Sequence, residues 1–155
     1  MNDRYLYRAK RKDNGEWVEG NIILSKDADE EYKAIIIPSV NSNMFTQESC
    51  NEDIGFENWY KIYPSTICQC TGLKDKNGKL IWENDIVEAW SQGRCAIGKI
   101  KHRIDGTWIM YSAWQNGEMW YLLPNYDGTT TVEVIGNIFD NKELLESEDK
   151  DENNY

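Results

Sequence analysis

The segment "TGLKDKNGKLIWENDIVEAW", Thr71 to Trp90, decides how the chain folds. Thr71 and Gly72 end one run of strand character, and Asn77-Gly78 supplies the residue pair that tolerates positive φ at a tight reversal. Trp82 to Asn84 then makes a corner from which Asp85 feeds the strand Ile86 to Trp90. Asp85 follows a tight turn, so its carboxylate is placed to cap the amides of its own corner rather than to move protons. Nearly every residue of the segment has a backbone task, which makes it scaffold and not a reaction site.

The same punctuation continues outward. Tyr5 to Ala9 and Trp17 to Leu24 flank "KRKDNG", where Asn14-Gly15 closes an N-terminal hairpin, and "YKAIIIP" reads as a short buried strand ended by Pro38. From Trp59 onward, short apolar runs alternate with Asn77-Gly78, Gln92-Gly93, Asp105-Gly106, Asn116-Gly117 and Asp127-Gly128. This spacing predicts a mainly β fold, a β-rich α+β chain whose antiparallel barrel- or sandwich-like sheet has about seven or eight strands. Residues 39–58 are polar and without clear period, and read as a long loop. Asp140 and Glu143 have capping-box spacing, so a short C-terminal helix is expected with Leu144 and Leu145 facing in. One domain is expected over residues 1–146, followed by a disordered acidic tail at 147–155.

Composition limits the function classes. Hydrophobic residues make up 40% and charged residues 28%, an ordinary globular balance, and the 7 Trp and 9 Tyr favour strands. The formal charge is -10; residues 146–155 hold five acids and one base, contributing -4 and leaving -6 for the rest. Acidity of this kind weakens any simple polyanion-binding role. The opening residues lack an apolar signal-peptide core, and no window approaches 18 apolar residues, so the expected place is the cytoplasm. In that reducing compartment Cys50, Cys68, Cys70 and Cys95 are expected as buried free thiols rather than a disulfide framework.

Three blocks carry a resemblance: "YRAKRKDNGEWVEG" near the start, "YPSTICQCTGLKDKNGKLIWENDIVE" (Tyr63 to Glu88) and "VEVIGNIFDNKELLE" (Val132 to Glu146). Together the chain resembles the YopX family of phage and prophage proteins. The counterparts are Pro64, Thr66, Gln69, Thr71, Gly72, Leu73, Asp75, Asn77, Gly78, Ile81, Glu83, Asp85, Ile86 and Val87, with Asn84, Gly136 and Asn137 inside the same blocks. The resemblance implies a small β-rich protein of mobile elements, and no catalytic activity comes with it. Asn84 stands where the family has Gly, and Asn is the residue after Gly that best tolerates the left-handed region, so positive φ is expected there.

Candidate chemistry is sparse. Cys68 and Cys70 share a strand face, but two residues of extended chain place their Cα atoms about 6.5–7 Å apart, at the edge of disulfide geometry. His102, the only histidine, sits between Lys101 and Arg103 and reads as an ordinary strand residue. Lys99, Lys101 and Arg103 recur at period two and form one basic stripe, with Ile100, His102 and Ile104 opposite. With Arg94 and an exposed Trp114 the stripe is the candidate partner-binding surface, read as a charged edge or as a nucleic-acid track. Trp108 with Met110, and Trp120 with Leu122, are expected as core or interface rows. Glycines occur singly at turns, so no phosphate cradle is expected. The expected protein is a non-catalytic phage or prophage accessory protein without cofactor or metal, acting through a homo-oligomer or a phage or host protein and not at a membrane. A nucleic-acid-binding barrel using the strand 95–104 is the alternative.

Overall fold

A computed structural model describes residues 3–47, 53–91, 93–112 and 119–146. Cys50, Trp114, the Asn116-Gly117 turn and residues 147–155, on which expectations were placed above, lie outside them. Thirteen strands occur among the described residues, all sheet pairings are antiparallel, and the helical elements are single 3-10 turns. The mainly β expectation holds. The strands outnumber the seven or eight expected because several are only two to four residues long. Among the described residues no helix is long and apolar enough to cross a membrane.

The chain divides into two compact units, one formed by Arg4–Gln69 and the other by the described residues from Cys70 onward. The first contains β1 (Tyr7–Lys10), β2 (Trp17–Leu24), β3 (Ala34–Pro38), β4 (Met44–Gln47), β5 (Asp53–Phe56) and β6 (Tyr60–Lys61). The start of β7 (Cys68–Lys74) belongs to it as well. Gly15 takes φ 73° and closes the expected hairpin, with Lys10 opposite Trp17. β2 continues into β3, where Ile22 faces Ile36, and β6 flanks β3. Alternation turns Ala9, Ala34 and Ile36 inward to join Ile62, packed by Val18, Ile22, Tyr60 and Ile67. Gly20 is obligatory because a Cβ there would lie 1.9 Å from the Ile37 carbonyl oxygen.

The polar stretch 39–58 is not a simple loop. β4 and β5 pair as a hairpin, with the Phe45 ring so close over Gly55 that a Cβ there would meet its Cζ at 2.7 Å. Asn43 donates to Glu57 from its amide nitrogen and side chain, and the Ser42 hydroxyl donates to the Asn58 carbonyl. Cross-strand polar pairs, which leave no apolar period in the sequence, hold this hairpin.

The second unit contains the rest of β7, then β8 (Leu80–Trp82), β9 (Asp85–Ser91), β10 (Arg94–His102), β11 (Trp108–Ser112), β12 (Met119–Tyr121) and β13 (Glu133–Asn137). Its five-stranded sheet has the order β12-β11-β10-β9-β13. That sheet is open, with β12 and β13 as different edges, so the barrel-like alternative does not apply. One face presents Val87, Ala89, Ala96, Ile100, Met110, Leu122 and Val132 to Ile81, with Leu73, Trp108, Trp120 and Val134 packed against them. The rows expected for Trp108 with Met110 and Trp120 with Leu122 therefore lie in this core.

The opening segment builds the corners. Gly72 takes φ 75° inside β7, where the register with β8 shifts, and the Thr71 hydroxyl donates to the Ile81 carbonyl at 2.7 Å. Asp75 is fully buried; its Oδ1 accepts from the Asn77 and Lys79 amides at 2.9 Å, and its Oδ2 accepts from the Val134 amide at 3.1 Å. Asn84 adopts φ 66°, as its place at the corner required, and Asp85 accepts from the Trp82 amide at 2.8 Å across that corner.

The short C-terminal helix is a 3-10 turn, Lys142–Leu145, and its N-cap, Asn141, makes no side-chain cap bond. The N-cap position thus falls on Asn141 and not on the expected Asp140, and Asn137 Oδ1 accepts from the Phe139 and Asp140 amides at 3.0 Å. Asp140 instead accepts from the Asn137 side chain at 3.0 Å, and Asn141 Oδ1 accepts from the Asn137 amide at 3.2 Å. Gly136 leaves room for this, since a Cβ there would lie 2.5 Å from Asn141 Oδ1.

Two stability outcomes follow from these corners. Asp75→Ala removes from the interior the acceptor of three backbone amides and is expected to cost about 3 kcal/mol, read as a fall in the urea midpoint. Asn84→Ala is expected to cost about 1–2 kcal/mol while Asn84→Gly costs little, a contrast that thermal unfolding of the two variants resolves.

Candidate functional site

The site is the face of the five-stranded sheet opposite its core. On β10, Ala96, Gly98 and Ile100 are buried, and Cys95, Ile97, Lys99 and Lys101 alternate to the other side. Gly98 permits close strand approach, since a Cβ there would lie 2.3 Å from the Tyr111 carbonyl oxygen. Register sets the neighbours: Cys95 lies opposite Trp90, Ile97 opposite Glu88, Lys99 between Ile86 and Tyr111, and Lys101 opposite Ile109. One strand further, Tyr111 faces Met119 and Ile109 faces Tyr121. Trp90, Tyr111, Met119 and Tyr121 are 58%, 37%, 44% and 53% exposed on this face. Aromatic side chains so displayed bury large area with few rotatable bonds when a partner covers them.

Two of the expected basic residues sit among them. Burial pushes the Lys99 ammonium below its usual value, and neighbouring Lys101 lowers it further. Among the described residues neither lysine has a carboxylate partner. A hollow of about 210 Å³ beside Lys99 is bordered by Tyr111, Ser112 and Leu145. Glu88 accepts from Trp90 Nε1 at 2.8 Å, so an acidic end of the face adjoins a basic one.

The rest of the expected stripe disperses. β10 ends at His102, so Arg103 leaves the alternation; it donates to the Tyr121 hydroxyl at 2.7 Å and pairs with Asp105 at 3.4 Å. Arg94 lies exposed at the start of β10, opposite Ser91, away from the lysine pair. His102 stacks on Trp108 with ring centroids 4.4 Å apart, and Ile104 projects fully from the turn tip. Cys68 and Cys70 are buried thiols outside any disulfide, as expected, but Cys95 is exposed because it alternates onto the outer face. No group of three His, Cys, Asp or Glu placed to hold a metal ion occurs among the described residues.

The motif residues outside the corners are also structural. Pro64–Thr66 is a 3-10 turn in which the Thr66 hydroxyl accepts from the Lys10 amide at 2.9 Å and donates to the Tyr63 carbonyl at 2.7 Å. The Gln69 side chain donates to the Arg4 carbonyl at 3.5 Å, Gly78 takes φ 83° in its turn, and Asn77 donates to Glu133 at 3.4 Å. Leu73 packs on the core, and Glu83 precedes Asn84 in the corner.

A family model described as YopX protein matches residues 6–146. The chain belongs to the YopX family. Among solved structures it is similar to the crystal structure of protein EF1440 from Enterococcus faecalis, at 23% identity and a TM-score of 0.46, covering 90% of this chain and 96% of that one. No curated protein matches it. In this YopX protein the residues that carried the resemblance build turns and the core beside them, whereas Trp90, Tyr111, Met119 and Tyr121 lie outside the central block Tyr63 to Glu88. Their only signal in the sequence is the period-two row they share with Lys99 and Lys101 across neighbouring strands.

The lysine pair gives a titration outcome. Lys99 has a folded pKa below 10.5, so its charged form opposes folding at neutral pH, and that penalty fades as pH rises through the folded value. Lys101→Gln removes the repulsion and is expected to move Lys99 back up towards 10.5, which side-chain NMR titration reads directly.

Proposed function

We propose that this YopX protein is a phage- or prophage-type accessory protein without catalytic activity, working in the host cytoplasm by binding another protein or a second copy of itself. The observation that supports this reading is the exposure of Tyr111, Met119 and Tyr121 on the adjoining strands β11 and β12, with Trp90 exposed on the same sheet face at β9. Exposed apolar side chains gathered on one face mark interaction surfaces more often than scattered ones do. A mixed rim of Glu88 at one end and Lys99 and Lys101 at the other supplies register to a partner without selecting a highly charged one.

Nucleic-acid binding through the same face is the second reading, favoured by the unpaired state of Lys99 and Lys101 among the described residues beside Tyr111. Two lysines neutralise few phosphates, and a chain of formal charge -10 repels a polyanion at long range.

Trp90→Glu combined with Tyr121→Glu is expected to abolish the specific protein recovered by affinity purification from lysogenic host cells, or to shift a self-associated species to monomer in sedimentation velocity. Retention of the partner and of the assembly by the double variant refutes the reading. Retention of single-stranded DNA or RNA at low salt, lost with Lys99→Glu, replaces it with the second.

A further inference from the structure

The N-terminal unit holds a separate hollow of about 450 Å³, lined by Lys12, Asp13, Glu31, Trp59, Tyr60 and Lys61. Its walls come from the β1–β2 turn, the 3-10 turn Glu30–Tyr32 and the entry to β6. The Lys12 amide donates to the Lys61 carbonyl at 2.9 Å, which holds the turn against β6. Arg11 donates from Nε to Asp13 at 2.9 Å while its guanidinium lies 3.6 Å from the centre of the Tyr60 ring. Lys61 donates to Glu31 and lies 4.4 Å from the centre of the Tyr32 ring. Each carboxylate is thereby oriented, and the Arg11 hydrogen bond keeps Asp13 below its usual pKa.

Three features select a ligand class. First, the lining carries two ammonium groups and two carboxylates, so it has no net charge to favour an anion or a cation. Second, Trp59 is 44% exposed and offers an indole face, whose negative quadrupole attracts C–H edges. Third, the Tyr32 ring lies 6.4 Å from Trp59 and is inclined by 49°, so these two rings do not stand parallel to sandwich a flat heterocycle. The volume falls within the range of about 300–1,000 Å³ usual for small-molecule sites.

We infer that the Trp59 hollow is a binding site for a short neutral saccharide. The apolar C–H face of one sugar ring lies on the Trp59 indole. Its hydroxyls donate to Asp13 and Glu31 and accept from Lys12 and Lys61. Trp59 also borders an apolar hollow with Ile23, Ile35, Ile54 and Phe56, which receives an N-acetyl or methylene substituent of the neighbouring sugar.

Saturation-transfer-difference NMR on the full chain tests the site with maltotriose, cellotriose and triacetylchitotriose, and with adenosine as the planar comparison. Transfer to the ring protons of at least one trisaccharide is expected, with affinity reduced about tenfold or more by Trp59→Ala. If that variant loses the wild-type near-ultraviolet circular dichroism, Glu31→Gln at an exposed carboxylate carries the same expectation. No transfer to any trisaccharide, transfer undiminished in the folded variants, or transfer to adenosine alone overturns the inference. The outer face of the five-stranded sheet is untouched by these variants, so the result is independent of the partner-binding reading.

Discussion

The Asp75 carboxylate is the interaction on which the second unit depends. A fully buried anion is tolerated only when its lone pairs are taken up, and here three backbone amides do so. Two belong to its own turn and one to β13, so a single side chain closes the β7–β8 reversal and fixes the far edge strand against it. Lys76 reinforces the junction by donating its amide to the Val132 carbonyl at 2.8 Å and pairing with Glu133 at 2.6 Å. With β13 held there, β9 finds partners on both sides, and the order of the five-stranded sheet follows.

That order gives the sheet two unlike faces. The inner face is closed by Ile81, Leu73 and the buried row around Ile100 and Met110. The outer face keeps Ile86 and Ile109 buried yet leaves Trp90, Tyr111, Met119 and Tyr121 in solvent. Arg103 spends its charge on Asp105 and the Tyr121 hydroxyl, which steadies that ring and removes a cation from the surface. Lys99 and Lys101 remain on this face as a like-charged pair. A face of this composition suits a protein partner better than a polyanion, because its apolar area is larger than its unspent positive charge.

Particular residues show how much could be read in advance. The positive φ of Asn84, the cap made by Asp85 and the turn at Asn77-Gly78 were legible because each is a local backbone demand met by one residue type. The β4–β5 hairpin was not, because Phe45 over Gly55 and the Asn43–Glu57 bonds are cross-strand events with no period along the chain. The Asp140 cap did not form for a related reason: the 3-10 turn begins one residue later, at Asn141, after a turn in which Asn137 accepts from the Phe139 and Asp140 amides. Arg103 left the basic stripe because the strand ended one residue sooner than the alternation suggested.

The sequence alone determined the mainly β class, the hairpin at Asn14-Gly15, the corners of the central segment and the YopX membership, since all of these rest on short-range turn chemistry and strand alternation. Tertiary structure decided the rest. Whether an alternating row is core or surface depends on which face of the sheet the other strands cover, and that is settled by β9 pairing with β13 and β10. The Trp59 hollow likewise needs the β1–β2 turn, the Glu30–Tyr32 turn and β6 to converge, through contacts between residues some 30 to 50 positions apart that no local pattern encodes.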